Sequence, residues 1–138
     1  MNANRPIVRV RDVMKTGFDL VDGIDTVADA LRKSQHPDSK CFIVNRRHED
    51  DEYGIVLLSD IAKKVLARDK SPERVNIYEI MSKPVIGVDP DMDIRYCTRL
   101  FENFGLSRAP VIRNQEVLGV IGYTDIVLRG ILEQLDSA

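Results

Sequence analysis

The phrase "GIVLLSDIA" at residues 54–62 returns as "GVIGYTDIV" at 119–127. Gly, two β-branched residues, then Ser or Thr, Asp and Ile stand at the same offsets in both. No other feature constrains the fold as strongly, because a repeated phrase calls for two copies of one supersecondary unit. Aligning Met14 with Met81 extends the match along nearly the whole chain. "VRDVMKTGFDLVD" lies over "IYEIMSKPVIGVD", "DTVADALRKS" over "MDIRYCTRLF", and "CFIV" over "APVI". The connection before the second Gly differs, "NRRHEDDEY" against "RNQEVL", and polar hairpin loops tolerate such changes. One copy is too small to bury both faces of a three-stranded sheet, whereas two can share a core.

The punctuation predicts β-α-β-β-α in each copy. "FDLV" and "VIGV" read as first strands. In the helix that follows, Thr26 with Asp29 three residues on resembles a capping box, and Val27, Ala30 and Leu31 share a face. In the second copy Ile94, Cys97, Leu100, Phe101 and Phe104 make a wider apolar stripe, closed by Gly105 in a left-handed conformation. "CFIV" and "APVI" read as buried strands, with "GIVLL" and "LGVIGY" as their hairpin partners. A second helix follows, with Ser59 or Thr124 as its N-cap. Short helical turns are expected at "VRDVM" and "IYEIM". The polar "ARDKSPERVN", with Pro72, suits a surface link. The boundaries are 7–70 for the first copy, 71–75 for the linker and 76–136 for the second.

Composition narrows the function classes. The net charge of -2 gives no general pull toward nucleic acid or acidic membranes. The apolar runs are far shorter than the roughly 18 residues of a spanning helix. The start "MNANRPIVRV" has no apolar h-region, so a cytoplasmic location is expected. Cys41 and Cys97 lie in apolar segments, which favours a buried thiol in each and leaves a disulfide open.

With these elements in place, the chain resembles a tandem pair of cystathionine-β-synthase (CBS) motifs, a Bateman module, over nearly its whole length. The resemblance rests jointly on the Met14 and Met81 lead-ins, the strand "RAPVI" and the two Gly-h-h-x-x-(Ser/Thr)-Asp phrases. It implies an α/β fold, α+β in some classifications, of two β-α-β-β-α motifs packed as one pseudo-two-fold domain. It also implies binding of an adenine nucleotide (AMP, ADP or ATP) or a related adenosyl ligand in clefts between the motifs. Asp60 and Asp125 then accept from ribose hydroxyls, a task suited to a carboxylate because charge-assisted bonds are the stronger kind. Ser59 and Thr124 stand beside them as caps or ligand contacts. Lys40 and Arg108, just before the second strand, match the family's phosphate-facing position. Ile55 and Val120 match positions that wall the adenine. Thr16, Gly17 and Phe18, with Lys83, Pro84 and Val85, match the segments that line the pocket. The chain departs from the family at Leu57 and Gly122, where Ser or Thr is common, and at Phe42, which stands where the second copy has Pro110. The second copy is the better match, which favours Asp125 over Asp60.

Plainer readings stand beside these. An Asp in the first helical turn is favoured by the helix dipole alone, by about 0.3–1 kcal/mol. "RRHEDDE" reads as a solvated hairpin tip rather than a metal site, and no nucleophile–base pair or phosphate loop is evident. The expected function is a non-enzymatic regulatory module that needs no cofactor, binds an adenine nucleotide and signals to an unidentified partner protein. The alternative is a ligand-independent dimerisation or protein-interaction module with vestigial pockets. The last helix, "TDIVLRGILEQL", carries a wide apolar surface around Gly130. With "SDIAKKVLARD" it is expected to form a homodimer.

Overall fold

The structure, a computed structural model, describes residues 6–136. Its contacts divide the chain into two units, 17–85 and the described parts of 1–16 with 86–138.

In the continuous unit, β1 (Asp19–Val21) pairs in parallel with β2 (Cys41–Val44), and β2 pairs antiparallel with β3 (Gly54–Leu57). The helices α2 (Val27–Lys33), α3 (Leu58–Lys64) and α4 (Ile77–Ile80) complete it. Thr26 caps α2 as expected, its hydroxyl accepting from the Asp29 N–H at 3.1 Å. Val27, Ala28 and Ala30 are the buried face of α2, while Leu31 lies outside the core. Phe42, Val44, Val56, Val65 and Ile77 fill the core beside them. Phe42 is therefore a core residue, fully buried.

In the other unit, α1 (Val10–Val13) precedes α5 (Ile94–Phe104), and β4 (Arg108–Arg113) pairs antiparallel with β5 (Glu116–Gly122). Ile94, Cys97 and Phe101 form the buried stripe of α5, and Gly105 closes the helix at φ +65°. Phe104 is exposed, so the core uses less of the stripe than its spacing predicts. The run "VIGV" forms no strand: Val88 alone bridges to Val111, in parallel. Gly87 weakens pairing within the run, having no side chain to pack, and Pro84 just before it has no N–H to donate. After β5 come α6 (Tyr123–Val127), a π-helical turn at Leu128–Leu132 and α7 (Glu133–Asp136). Gly130 lies in the π turn, and a Cβ there would stand 2.6 Å from Ile94 Cδ1. Gly130 thus packs closely against the tip of Ile94 on α5.

The lead-ins cross over. α4, which opens the second sequence copy, packs in the unit that holds most of the first, where Ile77 N–H donates to Asp25 O. α1, which opens the first copy, packs with most of the second, where Val10 N–H donates to Met92 O. Cys41 and Cys97 are both buried and in no disulfide, and burial pushes the Cys97 thiol up to about 11. Among the described residues no helix is long and apolar enough to cross a membrane.

Candidate functional site

Each repeated phrase forms a strand-to-helix corner, and the glycine that opens it has a steric reason. Val120 and Lys15 exchange two backbone hydrogen bonds of 2.9 Å across β5. A Cβ on Gly119 would press into the Lys15 carbonyl oxygen and approach Met14 Sδ. In the other unit Ile55 and Ser82 exchange the same pair of bonds at 2.9 Å. There a Cβ on Gly54 would stand 2.9 Å from Met81 Sδ. The two methionine lead-ins and the two glycines are therefore one device used twice: a backbone laid against a strand where no side chain fits.

The aspartates share a second device. Asp60 Oδ2 accepts from the Leu57 N–H, and Asp125 Oδ2 from the Gly122 N–H, both at 2.9 Å. Each is the third residue of its helix, reaching back to the N-cap amide that the helix leaves unpaired. The N-caps are Leu57 and Gly122. Ser59 and Thr124 are thus corrected: they stand at the second helical position, exposed, and cap nothing.

The second corner adds charge. Asp125 is 2% exposed, with Lys15 Nζ 3.4 Å from Oδ1 and Arg108 Nη1 3.8 Å from Oδ2. The Arg108 side chain is 9% exposed, and its Nη1 is buried without a hydrogen-bond partner. An unanswered buried donor costs about 1–3 kcal/mol, so the fork is poised for an acceptor. No cation pairs with Asp60 among the described residues.

Strand register corrects one more expectation. Arg108 lies opposite Gly122 in the β4–β5 hairpin, and Val111 lies opposite Gly119. In the β2–β3 hairpin Cys41 lies opposite Leu57, and Val44 opposite Gly54. Val44 also pairs with Val21 as Val111 does with Val88. Cys41, and not Lys40, therefore holds the place of Arg108, and Ile43 that of Pro110. Lys40 is exposed, in a left-handed turn at φ 63°. Aligning "CFIV" with "APVI" slips by one residue, and such a slip exchanges the two faces of a strand. The spacing from Met14 to Met81 equals that from Val44 to Val111 (81 − 14 = 111 − 44 = 67), so a constant offset would have avoided it.

The remaining predicted residues are dispersed. Val120 is fully buried and Ile55 half-buried, each with its backbone engaged by a lead-in. Thr16 is exposed beside Lys15. Gly17 and Phe18 are half-buried, with the His36 ring where a Gly17 side chain would stand. Pro84 is exposed, and the Val85 N–H donates to Tyr53 O at 3.2 Å.

Lys83 is engaged by a carboxylate: its Nζ lies 2.8 and 2.9 Å from the two oxygens of Asp51. Asp51 also accepts from the Arg47 N–H at 2.9 Å. The Lys83 ammonium, then the Arg47 amide, hold the Asp51 carboxyl well below the usual carboxylate range. Its side chain is 9% exposed, so Asp51 is anchored, while Arg47, His48, Glu49 and Asp50 are exposed as a solvated tip requires. No group of three or more His, Cys, Asp or Glu among the described residues is placed to hold a metal ion. Sequence reasoning missed Lys15 and Asp51. The place of Lys15 directly after a lead-in methionine was the available signal for it, whereas Asp51 had none.

Comparison with known proteins gives a consistent picture. The CBS domain model matches residues 77–130. The hexameric CBS-CP12 protein from bloom-forming cyanobacteria superposes with a TM-score of 0.87 at 35% identity, over 93% of this chain and 74% of that one. An uncharacterised protein of Methanopyrus kandleri is 31% identical over 113 residues, 79% of this chain and 57% of the relative. The chain thus spans little more than half the length of that relative. A CBS domain pair solved in complex with 5′-methylthioadenosine and S-adenosyl-L-methionine has a TM-score of 0.72 at 22% identity, covering 96% of this chain and 98% of that one. At that identity the likeness is one of fold.

Proposed function

This chain belongs to the CBS-domain family, with a mixed α/β CBS-pair fold, and we propose that it is a non-enzymatic regulatory module binding an adenine nucleotide of the AMP, ADP or ATP kind. The observation that carries the reading is the second corner, where a buried carboxylate, Asp125, lies beside a buried guanidinium with an unanswered donor, Arg108. A ribose diol offers donors to the carboxylate, and a phosphate offers acceptors to the guanidinium. The adenosyl ligands bound by a CBS pair of the same fold support the ligand class. Binding favours one conformational state of the module, and a partner protein reads that state. Ligand shifts the balance only by its difference in affinity between states.

A thermal-shift panel of AMP, ADP, ATP, NAD and S-adenosylmethionine tests this. A ligand at 100 times its Kd stabilises by about 2.7 kcal/mol. Asp125→Ala is expected to remove more of the AMP shift than Asp60→Ala. Absence of a shift with every ligand at millimolar concentration rejects nucleotide binding.

The second reading, self-association, has its own observation. Val127, Leu128, Ile131, Leu132 and Leu135 are large apolar residues left exposed on the last helical segment. We propose that this face joins two copies, with the exposed Leu66 near α3 as a further contact. A hexameric relative at 35% identity fits an associating surface. Light scattering at tens of micromolar protein is expected to give a dimer or larger, and a monomer rejects the proposal.

A further inference from the structure

Arg108 and Gly122 are directly opposite in an antiparallel hairpin, so their side-chain positions share one face. A Cβ on Gly122 would stand 2.6 Å from Arg108 Cζ and Nη1 and 2.7 Å from Nη2. The guanidinium therefore occupies the space that a side chain at 122 would take. The first corner shows the complementary solution. There Leu57 carries a side chain, and the residue opposite is the small Cys41, 2% exposed. Each corner has room for one large side chain, and only the second gives it to a cation.

The geometry points to Gly122 as a positioning residue: by having no side chain it seats the Arg108 fork at the corner, and this seat makes the second corner prefer a phosphate-bearing nucleotide over the uncharged nucleoside. The inference rests on the nucleotide binding proposed above. A flexible arginine tip yields readily to an intruding methyl group, so a side chain at 122 displaces the guanidinium instead of breaking the strand. The buried Nη1 has no acceptor of its own, and an anionic oxygen brought to the fork supplies a charge-assisted one.

Isothermal titration of the full chain with AMP and with adenosine tests the seat, using wild type, Gly122→Ala, Arg108→Ala and the double variant, each checked by circular dichroism. Wild type is expected to prefer AMP by about tenfold or more, the scale of one hydrogen bond to a charged group. Gly122→Ala should lower that preference to the level of Arg108→Ala. In the Arg108→Ala background the same change should leave the preference within about twofold, as coupling through a shared contact requires. A merely structural glycine would weaken AMP and adenosine by the same factor, and that result overturns the inference. So does a preference for AMP that survives Arg108→Ala, which decides the matter even if Gly122→Ala does not fold. Equal wild-type affinity for both ligands rejects the seat while nucleotide binding stands. Binding of neither ligand rejects the seat, and the thermal-shift panel decides nucleotide binding separately.

Discussion

The two corners share a backbone and differ in side chains. Both lay a methionine lead-in against a glycine, and both turn an aspartate back onto the N-cap amide. Beyond that, the second holds Arg108 and Lys15 around a buried Asp125, while the first places Cys41 opposite Leu57 and exposes Lys40. The comparison separates what the fold needs from what a ligand would need. The Gly and Asp of the repeated phrase serve the fold in both corners, so their repetition alone carries no ligand. Among the described residues the cations occur in one corner only, and the fold does not require them of the other.

The largest expected effect probes the glycines. Gly119→Ala drives a methyl group into the Lys15 carbonyl, a backbone group held in place by the Val120 N–H. A loss of about 3 kcal/mol is expected, at the upper end for overpacking. Gly54→Ala meets first the flexible Met81 sulfur at 2.9 Å and should lose only about 1 kcal/mol. Urea unfolding measures both, and equal losses would break the idea that the second bridge is the tighter.

The aspartates come next. Asp125→Ala orphans the buried Gly122 amide and leaves Arg108 and Lys15 without their carboxylate. About 2–3 kcal/mol of stability should go. Asp60→Ala removes a capping bond alone and should cost about 1 kcal/mol. A reversed order in the same unfolding assay would mean that the cations do not depend on Asp125.

The smallest effect concerns the longer loop of the first copy. Asp51 has its folded-state pKa lowered from an ordinary 3.8 by the Lys83 ammonium and the Arg47 amide. Its contribution to stability is complete above the unfolded value and fades as pH falls below about 4 toward the folded one. Asp51→Asn should flatten that part of the acid-stability profile, and an unchanged acid limb would show that the Lys83 contact stabilises nothing.

Local patterns carried much of this fold in plain view. Thr26 as a cap, Gly105 as a helix stop, and the helical turns at Val10–Val13 and Ile77–Ile80 depend on neighbours within a few residues. The hairpin strands were legible for the same reason, since short apolar runs and turn residues are short-range signals. The cap positions at Leu57 and Gly122 were missed because neither has a capping side chain. The bond runs the other way, from the amide to an aspartate three residues on. Register was missed by one residue at β2, where an all-apolar strand offers no alternation to fix its face.

By itself the sequence determined the duplication, the order of elements apart from the second copy's first strand, the buried strands and the presence of an aspartate in each first helical turn. Each of these follows from periodicity or from contacts along a short stretch of chain. Only the tertiary structure decided that the lead-ins cross over, that Lys15 reaches Asp125 from the far end of the sequence, and that Asp51 anchors Lys83. It also decided that Arg108 fills the space left by Gly122. These are contacts between residues distant in sequence, set by which strands pair and by how much room a missing side chain leaves. No local pattern encodes that room.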